Sequence, residues 1–362
     1  MGDKKFWIGF SLVKGVGPVR MARLTESFGD LERAWSAPLA DLMACGLGRK
    51  AVENLAMLRK GIDLDGYIEA MEKKGIKAVF SDSPDYPANL DEIEQKPPVL
   101  YYKGTITAQD TLAVGIVGTR KVTYYGKQVT EELSTRLAQS GATVVSGLAR
   151  GVDAVAHQFA LRANGRTLAV LGSGVDVIYP PEHRKLAEEI IENGALISDY
   201  PPGTEPDRVN FPPRNRIISG LSRAVVVVEA GQKSGALITA NFAADQGRDT
   251  YAVPGSIYSP ESVGTNALLA NGANIYLGAA ELLADLSLQG EGTNSTTKHQ
   301  FDGLELALME QLGTEPQHID DICANAGIPV EKGMAVLTIL ELNGFINQVG
   351  VMNYVRNPLK GR

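Results

Sequence analysis

From Leu112 onward the chain repeats short runs that are apolar on both faces: LAVGIVG, TVVSG, RTLAVLGSG, ALISDY, AVVVVEA and DTYAVPG. Between most of them lie stretches with helical periodicity, such as YGKQVTEELSTRLAQSGA and GVDAVAHQFALRANG. A strand apolar on both faces belongs to a sheet covered on both sides, and alternation with helices makes that sheet parallel. The pattern predicts an α/β domain over 110–286, a doubly wound, mostly parallel sheet of Rossmann-like kind.

The flanks read differently. Over 1–75, Leu24, Phe28, Leu31 and Trp35 recur at helical spacing, and the glycine turns KGVGPVR (Lys14–Arg20) and CGLGRKA (Cys45–Ala51) separate helical patterns. A stretch over 76–109, SDSPDYPANLDEIEQKPPVLYYKG at its centre, has prolines that forbid helix across much of it and reads as an extended connector. Residues 287–300 are polar and read as a linker. Beyond them, over 301–362, ELALMEQL, HIDDICANAG and PVEKGMAVLTILELNG predict helices and FINQVGVMNYVR a hairpin, the order of a winged helix.

Composition narrows the class. A chain of 362 residues with 44% hydrophobic and 21% charged residues is an ordinary globular protein of two or three domains. Cys45 and Cys323 form no CxxC, and His157, His183, His299 and His318 have no metal-ligand spacing, so no disulfide framework, metal or cofactor is expected. No apolar run is long enough for a membrane span or a signal peptide. The reading is a reduced, cytoplasmic protein without a membrane partner.

In open parallel sheets, ligands bind beyond the carboxyl ends of the strands, where helix N-termini present free N–H groups. The residues there are Gly118-Thr119-Arg120, Ser146-Gly147-Leu148-Ala149-Arg150-Gly151, Gly172-Ser173-Gly174 and Gly231-Gln232-Lys233-Ser234-Gly235. Together they describe a wide anion groove. Neither GSG nor GIVGTR completes G-x-G-x-x-G, and Lys233 lacks the glycines that a Walker A motif places before its lysine. Asp153 and His157 in GVDAVAH read as a helix cap and a loop support, and His183 as structural, so no catalytic residue is expected. From Arg208 to Val228 the chain carries Arg208, Arg214, Arg216 and Arg223 with no acid, although the whole chain is −7. Cations at a helix start are poorly placed unless an anion joins them, and phosphates would serve.

IVGTRKVTYYG, SGLARGVDAVAH, GSGVDVIYP, NFPPRNRIISGLSR, VVEA, KSGALITA, QGRDTYAVPG and GTNALLANGA resemble, in order over roughly 100–275, the signature blocks of the DNA-processing protein A (DprA/Smf) family. Its members often have an N-terminal SAM-like helical domain, and many a C-terminal winged helix. The resemblance implies a non-enzymatic, single-stranded DNA-binding recombination mediator. Such a protein protects incoming DNA during natural transformation and helps load RecA onto SSB-coated strands. It implies phosphate contacts by Arg120 and Lys233, with Gly118, Thr119, Ser146, Gly147, Arg214, Asn215, Arg216, Ser234 and Gly235 on the same groove. It also implies a homodimer through the Rossmann-like domain, with 263–272 as a candidate surface. Pro213 departs from the pattern, where an arginine is frequent. Tyr124, Tyr125 and Phe211 are candidate platforms for bases, with burial expected for two of them.

The KGVGP and CGLGR turns resemble helix-hairpin-helix turns. Residues 1–75 carry 12 Lys/Arg against 10 acids, whereas 301–362 carry 4 against 8. The would-be recognition helix offers only Lys332, so the winged helix is expected to bind protein rather than duplex DNA. The competing reading is a nucleotide-processing enzyme, a LOG-like phosphoribohydrolase with a P-G-G-x-G-T-x-x-E loop. PGSIYSPESVGTNALL has one of the paired glycines and leucine in place of the acid.

Overall fold

The structure, a computed structural model, describes residues 4–286, 301, 303–313 and 315–356. It divides into two compact units, Met1–Gly292 and Thr293–Arg362. The segment read as a linker, 287–300, lies outside the described residues, as do 357–362.

Six helices open the first unit: α1 (Lys4–Ser11), α2 (Pro18–Phe28), α3 (Leu31–Ser36), α4 (Leu39–Ala44), α5 (Arg49–Gly61) and α6 (Leu64–Lys73). The two glycine turns join α1 to α2 and α4 to α5. Aspartates start two of the helices: Asp30 accepts from the Arg33 N–H and Asp63 from the Gly66 N–H. The recurring apolar positions face one core, in which Leu24, Leu31, Leu42 and Leu55 are fully enclosed.

The stretch over 76–109 is not a connector. Its prolines confine helix to one turn, α7 (Ala88–Asp91), but its ends pair as β1 (Lys77–Phe80) and β2 (Val99–Gly104). β2 then runs antiparallel to β6 (Gly194–Ser198), so this segment builds one side of the main sheet. The apolar run VLYY is the physical reason: Leu100 and Tyr101 are wholly buried, and the Tyr101 hydroxyl lies 2.6 Å from Ser11 Oγ on α1.

The remaining strands are β3 (Ala113–Val117), β4 (Thr143–Ser146), β5 (Thr167–Val170), β7 (Ala224–Val227), β8 (Asp249–Ala252) and β9 (Asn274–Ile275). The nine-stranded sheet has the order β1-β2-β6-β5-β4-β3-β7-β8-β9. From β6 to β9 every pairing is parallel. After β3 the chain winds outward through β4, β5 and β6, then returns to lay β7, β8 and β9 on the other side. β3 and β7 therefore flank the topological switch point, where loops leaving the strands diverge.

Side chains alternate across these strands. Val114, Ile116, Val144 and Val226 pack with Leu133 and Leu137 on one face, whereas Val117, Val145, Val225 and Val227 pack with Ile217 and Ile218 on the other. Helices α8 (Tyr124–Gln139), α9 (Val152–Arg162), α10 (Arg184–Asn193), α11 (Phe211–Leu221), α12 (Gly235–Asp245), α13 (Val263–Ala270) and α14 (Ala279–Asp285) complete the unit.

The second unit contains α15 (Gly303–Gln311), β10 (Gln317–His318), α16 (Ile319–Ala326), α17 (Val330–Leu342) and the hairpin β11 (Ile346–Gln348) and β12 (Asn353–Arg356). Its core is Leu308, Ile322, Leu337, Leu340 and Ile346. This is the winged-helix order, with β10 added beside β12.

Candidate nucleic-acid interface

The switch point opens into a cavity of about 660 Å3 lined by loops from both halves of the sheet. The loop after β3 brings Gly118, Thr119 and Arg120. The loop after β7 brings Gly231, Gln232, Lys233, Ser234 and Gly235, and the start of α11 brings Phe211, Pro212, Arg214 and Asn215. Arg120 and Lys233 are exposed, and neither has an ion-pair partner among the described residues. Arg208 lines the same space and is also exposed. Two carboxylates, Asp153 and Glu261, share the lining.

Buried polar groups hold the loops. The backbone oxygen of Glu229 accepts from the Thr119 N–H at 2.8 Å. The Glu229 carboxylate accepts from the Thr123 N–H at 2.9 Å and from its hydroxyl. Glu229, two residues past the end of β7, thus fixes both ends of the Arg120 loop. A second loop backs it: Gly151 has φ +75°, and a Cβ there would lie 2.3 Å from the Thr119 oxygen. Only glycine permits this close approach. On the other wall, Ser234 caps α12 by accepting from the Ala236 N–H, and the first turn of that helix meets the cavity at Gly235.

Arg214 forms the floor. It is 4% exposed and donates to the carbonyls of Gly147, at 2.9 Å, and Val170. Burial draws its guanidinium down to about 10, with Asp153 pulling the other way, so it stays charged at neutral pH. Asp153 accepts from the Gly147 N–H at 3.1 Å and the Ala149 N–H at 3.3 Å. Burial pushes its carboxyl up, against the pull of Arg214. His157 is wholly buried, and its Nδ1 lies 2.7 Å from Thr167 Oγ1. The Thr167 hydroxyl donates to the Val144 carbonyl, so the imidazole proton sits on Nδ1. His183 contacts the Leu148 carbonyl. All three serve the fold.

Three expected groove residues are placed otherwise. Ser146 is buried, its hydroxyl donating to the Ile116 carbonyl at 2.6 Å. Gly147 is absent from the main cavity's lining, covered by Arg214 with its N–H and carbonyl both engaged, and lines only the shallow notch beside it. Arg216 is buried against Asp199 at 2.6 Å, outside the cavity lining. The anions that the arginines of α11 required are therefore partly internal. Of the three candidate platforms, only Phe211 lines the cavity, and none of the three is buried. Tyr125 is 46% exposed and donates to the Pro254 carbonyl. Sequence reasoning missed Tyr179, which lines the cavity from the loop after β5. The signal was GSGVDVIYP, an aromatic placed after a glycine-rich strand end.

Residues 77–287 match the DNA recombination-mediator protein A family, and 294–350 the DprA winged helix domain. The chain belongs to the DNA recombination-mediator protein A family. It is 40% identical to protein Smf of Synechocystis over 98% of this chain and 99% of that one. With DNA processing protein DprA of Bacillus subtilis it shares 41% identity over 60% of this chain and 74% of that relative. The crystal structure of DNA processing protein A from Streptococcus pneumoniae superposes with a TM-score of 0.68 at 32% identity. It covers 78% of this chain and 97% of that chain. DNA processing protein A from Helicobacter pylori, studied for its single-stranded DNA binding mode, gives 0.53 at 33% identity, covering 59% and 95%. Among the described residues of this family member no helix is long and apolar enough to cross a membrane.

Proposed function

We propose that this chain is a recombination mediator that binds single-stranded DNA along the groove at the switch point and takes part in natural transformation. The observation that carries this reading is the pair Arg120 and Lys233. They are exposed and, among the described residues, without an ion-pair partner, and they line one cavity from the loops of two different strands. Charges left open in this way on a chain of net charge −7 suit a polyanion. Thr119, Asn215, Ser234 and the first turn of α12 add donors of the kind phosphate accepts.

The relatives' names and family membership support the same role. RecA loading, access to SSB-coated strands and a homodimer through the sheet-bearing unit, with α13 as the surface, belong to this proposal. It makes the protein a carrier of DNA rather than an enzyme, because Asp153 and His157 are committed to the fold. The second unit is read as a protein-binding module. Lys332 is the sole cation of α17, and 301–362 carry a net charge of −4. The test is a salt series with single-stranded and duplex oligonucleotides, in which the single strand binds more tightly. Absence of single-strand binding at about 150 mM salt overturns the reading.

A further inference from the structure

The groove accounts for open cations at the sheet edge, but not for those of the six opening helices. The two glycine turns and the helix starts they lead into, 14–23 and 46–50, carry Lys14, Arg20, Arg23, Arg49 and Lys50 and no acid. The turns share one conformation. Gly15 and Gly46 have φ +98° and +96°, Val16 and Leu47 are buried beneath them, and Gly17 and Gly48 run extended into α2 and α5. The fold sets the two side by side. Arg20 of α2 donates to the Gly15 carbonyl, and its Nη2 would lie 3.9 Å from a Cβ on Gly48. Arg23 reaches the second turn as well, 3.3 Å from where a Cβ on Gly46 would stand. Asn54 of α5 donates to the Lys14 carbonyl at 3.0 Å. The five cations therefore belong to one patch.

Its charge and its shape both fit a phosphate backbone. Glu53 pairs with Arg49 at 2.9 Å, and Glu205 and Asp207 share a cavity with the first turn. No acid among the described residues comes within ion-pair distance of Lys14, Arg20, Arg23 or Lys50. Neither Gly17 nor Gly48 has a positive φ, and a Cβ on Gly17 would meet nothing within 4 Å. The fold does not demand glycine at these two places, and at α3 and α6 aspartates do the capping. At α2 and α5 the cap has no side chain and no acid follows in the first turn. The backbone is left bare, at the positive end of a helix, for an anion to approach. No aromatic lies in 14–23 or 46–50 to take up an unpaired base. The patch can read phosphates alone, which a duplex presents more densely than a single strand.

We infer that the paired glycine turns form a second DNA-binding surface, which takes the backbone of a duplex. The duplex surface stands on these helices by themselves. Together with the groove, and resting on the single-strand reading above, it lets one molecule hold an unpaired strand and a duplex at once.

The test uses the full chain with Arg23→Ala, Lys50→Ala, Gly48→Ser and Gly48→Asp, each first checked for its thermal midpoint. Each alanine variant lowers the slope of log K against log salt for a duplex by about 0.9 and leaves the single-strand slope unchanged. Gly48→Asp caps α5 and puts a carboxylate where the phosphate would lie. Its midpoint holds or rises while its duplex affinity falls at least about tenfold. Gly48→Ser caps without the charge and weakens duplex binding less. A labelled single strand is retained on an immobilised duplex by the wild type and not by Gly48→Asp. If a glycine variant fails to fold, the exposed Arg23 and Lys50 decide the question. A wild type that binds no duplex, or alanine variants with the wild-type duplex slope, overturn this inference and leave the single-strand groove standing. Equal slope losses on single strand and duplex make the patch part of the single-strand path and overturn it too. A wild type that binds a duplex through the patch but no single strand overturns the groove alone.

Discussion

Arg216 Nη2 lies 2.6 Å from Asp199 Oδ2, while Arg214, two residues earlier on α11, donates to the carbonyls of Gly147 and Val170. Residues two apart on a helix point to different sides, so one helix start sends its two arginines to separate tasks. Arg214 floors the groove, and Arg216 secures α11 to the loop after β6.

That division predicts opposite phenotypes within one motif. The Arg216 and Asp199 side chains are only 8% and 17% exposed. Removing one partner leaves a largely buried charge, so Arg216→Ala costs about 3–5 kcal/mol of stability in chemical denaturation. The salt slope of DNA binding by the folded variant stays at the wild-type value. A stable variant with a flattened slope would contradict the assignment.

Arg120→Ala and Lys233→Ala are expected to show the reverse. Both side chains are exposed, so stability changes by no more than about 0.5 kcal/mol. Each substitution lowers the slope of log K against log salt by about 0.7, for every strand sequence. Unchanged binding in both variants would displace the groove from this sheet edge.

The glycines separate fold from ligand. A Cβ on Gly147 would lie 2.3 Å from Arg214 Nη1, whereas one on Gly235 meets nothing within 4 Å. Gly147→Ala therefore displaces the floor and destabilises the chain by about 1–3 kcal/mol. Gly235→Ala folds normally, and a loss of DNA affinity in that variant marks close backbone approach by the ligand.

Acid should weaken the fold through His157. Burial holds its imidazole at about 3 against an ordinary 6.5, with the charges of His183 and Arg214 adding to the effect. Its Nε2 is buried without a partner, so a proton there would be a bare internal charge. The unfolded chain takes up that proton and the folded chain does not. The stability is complete above pH 6.5 and falls as the pH drops from 6.5 toward 3, by about 1.4 kcal/mol per pH unit once below the upper value. Asp153, with its carboxyl pushed up, works in the opposite direction. The informative measurement is the difference between wild type and His157→Asn, which cancels Asp153. A pH-independent difference would refute the account.

The acidic second unit gives one more expectation. A chain ending at Gly292 keeps the wild-type affinity and salt slope for duplex DNA. A marked loss of duplex affinity would make the winged helix a DNA reader.

The parallel strands were legible because Val114–Val117 and Val225–Val227 are enclosed on both faces, leaving long apolar runs. That Arg120 and Lys233 line one cavity was legible because strand-end loops in such sheets meet at one edge. The pairing of Arg216 with Asp199 was not, because the acid lies 17 residues away across a proline-rich loop. Nor was the strand role of Val99–Gly104, whose partner β6 is distant in sequence, so local propensity favoured an irregular segment. Tyr179 escaped notice because an aromatic beside two prolines reads as loop, and its exposure depends on where Phe211 comes to rest.

The site assembles late. Arg120 emerges from β3 and Lys233 from β7, strands joined through the pairing of Val114 with Ala224. A nascent chain that has completed β3 to β6 already carries Arg120, the loop behind it and most of its hydrophobic layers, yet has only half a groove. DNA binding at the proposed groove would thus be a readout of a finished sheet, and partly synthesised chains would not compete with whole molecules for strands.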